Sequence, residues 1–173
     1  MGIEIERKFL VDPCIWKPEG AGVLIRQGYL SSVKERVVRV RIAGPEAFLT
    51  IKGVTETLSR PEFEYPIPLD DARILLDQLC ERPQIEKTRY KQSVGDHVWE
   101  IDVFHGDNAG LIIAEIELAK ESETFERPPW ILNQVSDDPR YLNANLAANP
   151  FKVWGLRENV AHKKPILGEA PEG

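Results

Sequence analysis

Near the start of the chain, GIEIERKFLV places Glu4, Glu6 and Lys8 at every second position, with Ile3, Ile5, Arg7, Phe9 and Val11 between them. Side chains of a β-strand point alternately to opposite faces, so this spacing gathers three charges on one side and mostly apolar groups on the other. A single strand of this kind would suit the surface of any antiparallel sheet. The pattern, however, recurs. Arg39 and Arg41 alternate with Val38, Val40 and Ile42, and Thr50 and Lys52 with Leu49 and Ile51. Arg60, Glu62 and Glu64 oppose Phe63, Tyr65 and Ile67, and Lys87, Arg89 and Lys91 share a face. Glu100 and Asp102 oppose Trp99, Ile101 and Val103; Glu115 and Glu117 oppose Ala114, Ile116 and Leu118.

These charges are largely sorted by sign, strand by strand. Like charges side by side repel unless groups of opposite sign sit among them. A sheet curled into a barrel meets that condition, with its apolar face outward under helices and its charged face lining a water-filled interior. Lys8, Arg39, Arg41, Lys52, Lys87 and Arg89 would there neutralise a compact polyanion, since Arg forks grip phosphate oxygens bidentately and Lys acts as a point charge. The grouped carboxylates suit hard divalent cations, which take oxygen ligands and often bridge to substrate phosphates. The pattern therefore predicts a phosphate-chain pocket working with Mg²⁺ or Mn²⁺, by charge neutralisation, positioning and a metal-activated water.

The elements that must position these residues are short. Alternation predicts eight strands over 3–11, 23–30, 36–43, 47–53, 60–67, 84–92, 97–104 and 111–118, with turn signals at Gly44-Pro45 and Gly95-Asp96. One helix is expected at DDARILLDQLC, with Asp70 or Asp71 as cap and an apolar stripe of Ile74, Leu75, Leu76 and Leu79. A second is expected in DDPRYLNANLA, with Asp138 as cap and Pro139 first. The fold expected is mainly β (α+β): a closed eight-stranded antiparallel barrel with covering helices. It occupies residues 1–150, with 151–173 a partly mobile tail that includes Lys163 and Lys164.

Bulk properties narrow the classes. The 173 residues suit one domain, and 42% hydrophobic with 29% charged residues suits a soluble globular chain. No apolar run is long enough to span a bilayer, and the opening residues do not resemble a secretory signal, because Glu4, Glu6 and Asp12 sit where its apolar core would have to be. Cys14 and Cys80 form no disulfide framework, so the cytoplasm is the expected location. A net charge of −6 argues against general nucleic-acid binding. His97, His105 and His162 lack ligand spacing, and no G-x-x-x-x-G-K loop occurs. Oligomeric state stays open, a homodimer included.

EIERKFLV, RQGYL, Arg39-x-Arg41, TIK, SRPEFEY, EKTRY, EIDVF and AEIEL follow one another in the order of the CYTH superfamily, the triphosphate tunnel metalloenzymes. The chain resembles that family over residues 2–148, and PPWILNQVSDDPRYLNANLA resembles its closing helical segment, with Trp130 a packing residue of the covering helix. The resemblance implies an eight-stranded tunnel that hydrolyses or rearranges triphosphates with a divalent metal. By position it implies Glu4, Glu6, Glu115 and Glu117 as metal ligands, with Asp102 an addition. It implies Lys8, Arg39, Arg41, Lys52, Arg60, Lys87 and Arg89 as triphosphate binders, and catalytic roles for Glu4, Glu6, Lys8 and Lys87. Glu62 and Glu64 match positions that hold a second metal or orient the basic residues.

The opening and the compact length look most like short bacterial inorganic triphosphatases. The expected reaction is hydrolysis of tripolyphosphate to pyrophosphate and phosphate, with a small-molecule substrate and no nucleic-acid or membrane partner. An adenylyl cyclase, or a nucleoside or thiamine triphosphatase, is the alternative on the same fold. It would need a stacking contact at a tunnel mouth, from Tyr29, Phe48 or Trp99. A silent polyphosphate-binding module is the lesser alternative, disfavoured because it would gain nothing from so many carboxylates.

Overall fold

The computed structural model describes residues 2–54 and 59–154. Its strands are β1 (Gly2–Val11), β2 (Val23–Ser31), β3 (Val37–Ala43), β4 (Glu46–Lys52), β5 (Ser59–Pro66), β6 (Ile85–Val94), β7 (His97–Phe104), β8 (Ile112–Glu117) and β9 (Ile131–Gln134). Helix α1 (Leu69–Ile74) follows β5, and α2 (Asn143–Ala148) follows β9. Two tight hairpins use the turn signals read above: Gly44 and Gly95 take φ of +58° and +57°, the left-handed region that a primed turn demands.

All pairings are antiparallel, in the order β5-β4-β3-β2-β6-β7-β8-β1-β9, with a further contact between β5 and β1. The expected closed eight-stranded barrel is corrected on two counts. Among the described residues there are nine strands, and their sheet does not close along its length. The β5–β1 seam runs over four residue pairs, Gly2↔Glu62 to Ile5↔Ser59. Beyond it β9 pairs with β1 at Phe9 and Val11. Two prolines, Pro61 and Pro66, cannot donate to a ladder, so β5 has the character of an edge strand, which limits how far such a seam can run.

The expected closing helical segment is also corrected at its start. Residues 131–134 form β9, and Trp130 is buried in the turn before it rather than in a helix. Asp138 does cap, but a single 3₁₀ turn, Pro139–Tyr141, whose Arg140 N–H it accepts. On α1 neither Asp70 nor Asp71 makes a capping bond: the cap position is Pro68 and both acids lie within the first turn. A π-turn, Leu75–Leu79, then shifts the helical phase. Leu76 and Ala72 become buried, while Ile74 and Leu79 of the expected stripe are left exposed.

The sheet separates two environments. Its outer face packs Phe9, Trp99, Ile101, Ile116 and Trp130 into one core, and Val40 and Ala47 beneath Ala72 and Leu76 into another. On its inner face a third cluster joins Tyr29, Ile85, Phe104 and Ile113 to Tyr141, Leu146 and Ala147. This cluster plugs one end of the interior. Phe151 and Trp154 of the short helical turn at 151–154 pack against it. His162, Lys163 and Lys164 lie outside the described residues. No helix among the described residues is long and apolar enough to cross a membrane.

Candidate functional site

Above the plug the inner face turns from apolar to charged, and it encloses a cavity of about 1430 Å³. Glu6, Lys8, Arg39, Arg41, Lys52, Glu62, Glu64, Lys87, Arg89, Glu115 and Glu117 all line it. Strand periodicity places them there: each sits on the inner phase of its strand, and cross-strand register brings acid beside base. Lys8 stands opposite Glu115, Arg89 opposite Asp102, and Lys52 opposite Glu62. The sign sorting along each strand is thus resolved across strands, which is what offsets the cost of taking charges out of water.

Three ion-pair groups result. Lys8 Nζ bridges Glu6, at 2.6 Å, and Glu115. Burial alone would lower the pKa of this ammonium, but Glu115 and then Glu6 outweigh it and hold it above the ordinary lysine range. Burial likewise opposes ionisation of Glu115, yet Lys8, Arg89 and Lys87 keep its carboxyl well below the usual carboxylate range.

The second group is centred on Asp102. Arg89 grips it in a fork, Nε to Oδ1 and Nη2 to Oδ2, both at 2.7 Å. Lys87 Nζ donates to Oδ2 at 2.5 Å. Arg89 also reaches Glu115 at 2.9 Å and pairs with Glu100. Burial pushes the pKa of Lys87 down, and Asp102 offsets that only in part. For Arg89, burial is outweighed by Asp102, Glu115 and Glu100, and its pKa lies well above the ordinary value. The Asp102 side chain is only 1% exposed and does not line the cavity; both its oxygens hold cations from beneath.

The third group surrounds Glu64, which accepts from Arg41 Nη2 at 3.0 Å and Arg39 Nη2 at 3.4 Å. Thr50 accepts from Arg39 and donates to Glu64 at 2.9 Å. Burial and then the neighbouring Arg39 lower the Arg41 pKa, against Glu64. Lys52 pairs with Glu62 at 2.7 Å. Glu4 and Arg60 pair in the backbone register of β1 and β5, but their side chains lie outside the described residues.

Two of the residues that hold the charged groups in place were missed in the sequence. Thr50 is a buried link in the Glu64 group, and alternation had already placed it on the charged face; only its polarity without charge left it without a role. The Ser136 hydroxyl accepts the Lys8 backbone N–H at 2.9 Å, while Val135 N–H donates to the Lys8 carbonyl. Lying 128 residues from Lys8, it left no local signal.

The residues fit a divalent metal in kind. Glu6 and Glu117 face each other across β1 and β8, Glu115 lies on the same face, and all are oxygen donors. Glu117 makes no ion pair among the described residues, whereas Glu6 and Glu115 are drawn onto Lys8. No three acidic, histidine or cysteine side chains converge into a ready-made ligand cluster among the described residues.

Comparison with known proteins agrees with this architecture. The CYTH domain matches residues 2–147. The chain is 49% identical over 152 residues to an inorganic triphosphatase of Acetivibrio thermocellus, covering 88% of this chain and 97% of that one. It is 38% identical over 150 residues to an inorganic triphosphatase of Nitrosomonas europaea, covering 83% and 96%. A crystal structure of an inorganic triphosphatase superposes with a TM-score of 0.61 at 36% identity, over 85% of this chain and 95% of the other. A conserved Pyrococcus furiosus protein, at 19% identity and TM-score 0.53, shares the fold over 69% of this chain and 80% of its own.

Proposed function

This chain belongs to the CYTH domain family, and we propose that its charged cavity hydrolyses inorganic tripolyphosphate to pyrophosphate and phosphate with Mg²⁺ or Mn²⁺. The observation that carries the reading is the joint lining of one cavity by the bases Lys8, Arg39, Arg41, Lys52, Lys87 and Arg89 and by the facing pair Glu6 and Glu117. The names of the relatives that are 49% and 38% identical support the same reaction.

In this reading Glu6, Glu115 and Glu117 hold the metal, together with Glu4, two residues before Glu6 in the β1 sequence. When bound, the metal neutralises phosphate oxygens and activates water. The guanidinium forks of Arg39, Arg41 and Arg89 grip the chain bidentately. Lys8, Lys52 and Lys87 add point charges, and Arg60 belongs to the same group by position. Glu115 and Glu6 outweigh burial and hold the Lys8 pKa above the ordinary lysine range, which suits Lys8 as an ammonium facing the negative charge of the phosphate chain. Asp102 and Glu64 act from behind the cations, fixing Lys87, Arg89, Arg39 and Arg41 before substrate arrives.

Lining of the cavity favours an inorganic chain over an organic triphosphate. Of the aromatic candidates for a stacking contact, Trp99 is buried in the outer core. Phe48 lies under the Arg41 guanidinium and does not line the cavity. Tyr29 does line it but is 5% exposed. The test is phosphate release from tripolyphosphate, ATP and thiamine triphosphate in parallel, with Mg²⁺, Mn²⁺ or EDTA, and a check of the ATP reactions for cyclic AMP. Metal-dependent turnover of tripolyphosphate alone is expected; preference for an organic substrate would move the protein to another branch of the fold.

A further inference from the structure

We propose that Lys34, in the connection between β2 and β3, is a substrate-contacting specificity residue that holds the end of the phosphate chain remote from Glu6 and Glu117. The inference rests on the triphosphatase reading and adds to it the polarity with which the chain lies in the cavity.

The cavity is lined by eight lysines and arginines among the described residues, and seven of them already face a carboxylate. Lys34 is the exception: among the described residues it makes no ion pair, and it is exposed. A phosphate approaching any of the other seven competes with a carboxylate already in place, so the net attraction is a difference of two large terms. At Lys34 no such competition exists. Its charge is wholly available to an incoming anion, though weakened by the water around it.

Its position gives the chain a direction. Lys34 precedes Val37, which opens β3 and packs against the plug together with Tyr29 and Leu10. Lys34 therefore belongs to the plugged end. Glu117 belongs to the other end: on β8 it lies four residues beyond the plug residue Ile113, roughly 13 Å along the strand. Glu117 and Asp96, both in the lining, likewise have no cation partner among the described residues. One end of the cavity thus offers uncompensated carboxylates, suited to a cation, and the other an uncompensated ammonium, suited to an anion. Asp137 and the already paired Glu62 also line the cavity, and Lys34 makes an ion pair with neither. A linear polyphosphate lying along this axis directs one terminus to Lys34, and a chain longer by one unit meets it more fully.

The test compares Lys34→Ala, Lys34→Arg and the unaltered protein on tripolyphosphate and tetrapolyphosphate, by steady-state kinetics and by calorimetric titration of each anion in EDTA, where nothing turns over. Lys34→Ala is expected to raise KM for tripolyphosphate roughly fivefold, the size of an exposed charge contact. The rise should be larger for tetrapolyphosphate, shrink with added salt, and fall on KM rather than kcat. Lys34→Arg should restore most of it. Unchanged KM for both chains, an effect confined to kcat, or failure of Arg to restore would overturn the proposal. If the unaltered protein turns over neither chain, the triphosphatase reading fails by itself. The titrations then decide Lys34: weaker binding in Lys34→Ala upholds the contact, and equal binding overturns it.

Discussion

The inner face of the sheet has two halves built on the same strands, and they solve burial in opposite ways. On β6, Lys91, Arg89 and Lys87 lead to Ile85; on β7, Glu100 and Asp102 lead to Phe104; on β8, Glu117 and Glu115 lead to Ile113. The alternation never changes phase, but at one rung the inward residues switch from charged to apolar. Below that rung burial is stabilised by exclusion of water, and packing against α2 completes it. Above it, burial is tolerated only because each cation finds a carboxylate across the sheet. The boundary is one side chain thick: Lys87 Nζ, bonded to Asp102, lies 5.3 Å from the centre of the Phe104 ring. Apolar packing closes one end of the interior, and ion pairs across the strands hold the charges above it.

The sharpest way to break the contrast is to remove one partner at the boundary. Asp102→Ala leaves Lys87 and part of Arg89 uncompensated, and should cost about 3–5 kcal/mol in denaturant unfolding while abolishing turnover. Replacing both partners, Lys87→Met with Asp102→Leu, moves the apolar half up by one rung. Stability should then recover to within about 1–2 kcal/mol of the parent while turnover stays lost; a double variant as unstable as the single one would refute the comparison.

Within the apolar half, Leu146→Ala empties a fully buried position and should cost about 2–4 kcal/mol, with no change in the ion-pair groups. A smaller effect belongs to Ser136→Ala. It removes the acceptor of the Lys8 N–H and should cost about 1 kcal/mol, with a several-fold loss of kcat/KM that Ser136→Thr restores. The smallest effect on stability is expected for Glu117→Gln, within about 0.5 kcal/mol because this side chain is exposed and makes no ion pair among the described residues. Its effect on turnover should nonetheless be complete, and full activity in this variant would remove Glu117 from the metal site.

Much of the site was legible because it rests on a local rule. A two-residue period needs no knowledge of neighbours, so the inward phase of Lys8, Arg39, Lys52, Lys87 and Glu115 follows from the residues themselves. Thr50 shared that phase and was passed over only because its hydroxyl looks ordinary without Arg39 and Glu64 beside it. Helix α1 was legible as a helix, but the π-turn at Leu75–Leu79 changed which residues it buried. Asp102, which the family resemblance implied as an added ligand, shares the inward phase of Glu100, but phase alone does not tell that its oxygens are turned onto Lys87 and Arg89 beneath the cavity wall.

By itself, then, the sequence determined the two faces of each strand and the sorting of charge between them, since these depend on backbone geometry within a few residues. Only the tertiary structure decided which acid meets which base, which end of the interior is plugged, and where β1 passes from β5 to β9. Those outcomes depend on pairings between residues as distant as Lys8 and Ser136. Register across a sheet is set by the packing of the whole chain, and no stretch of it contains that information alone.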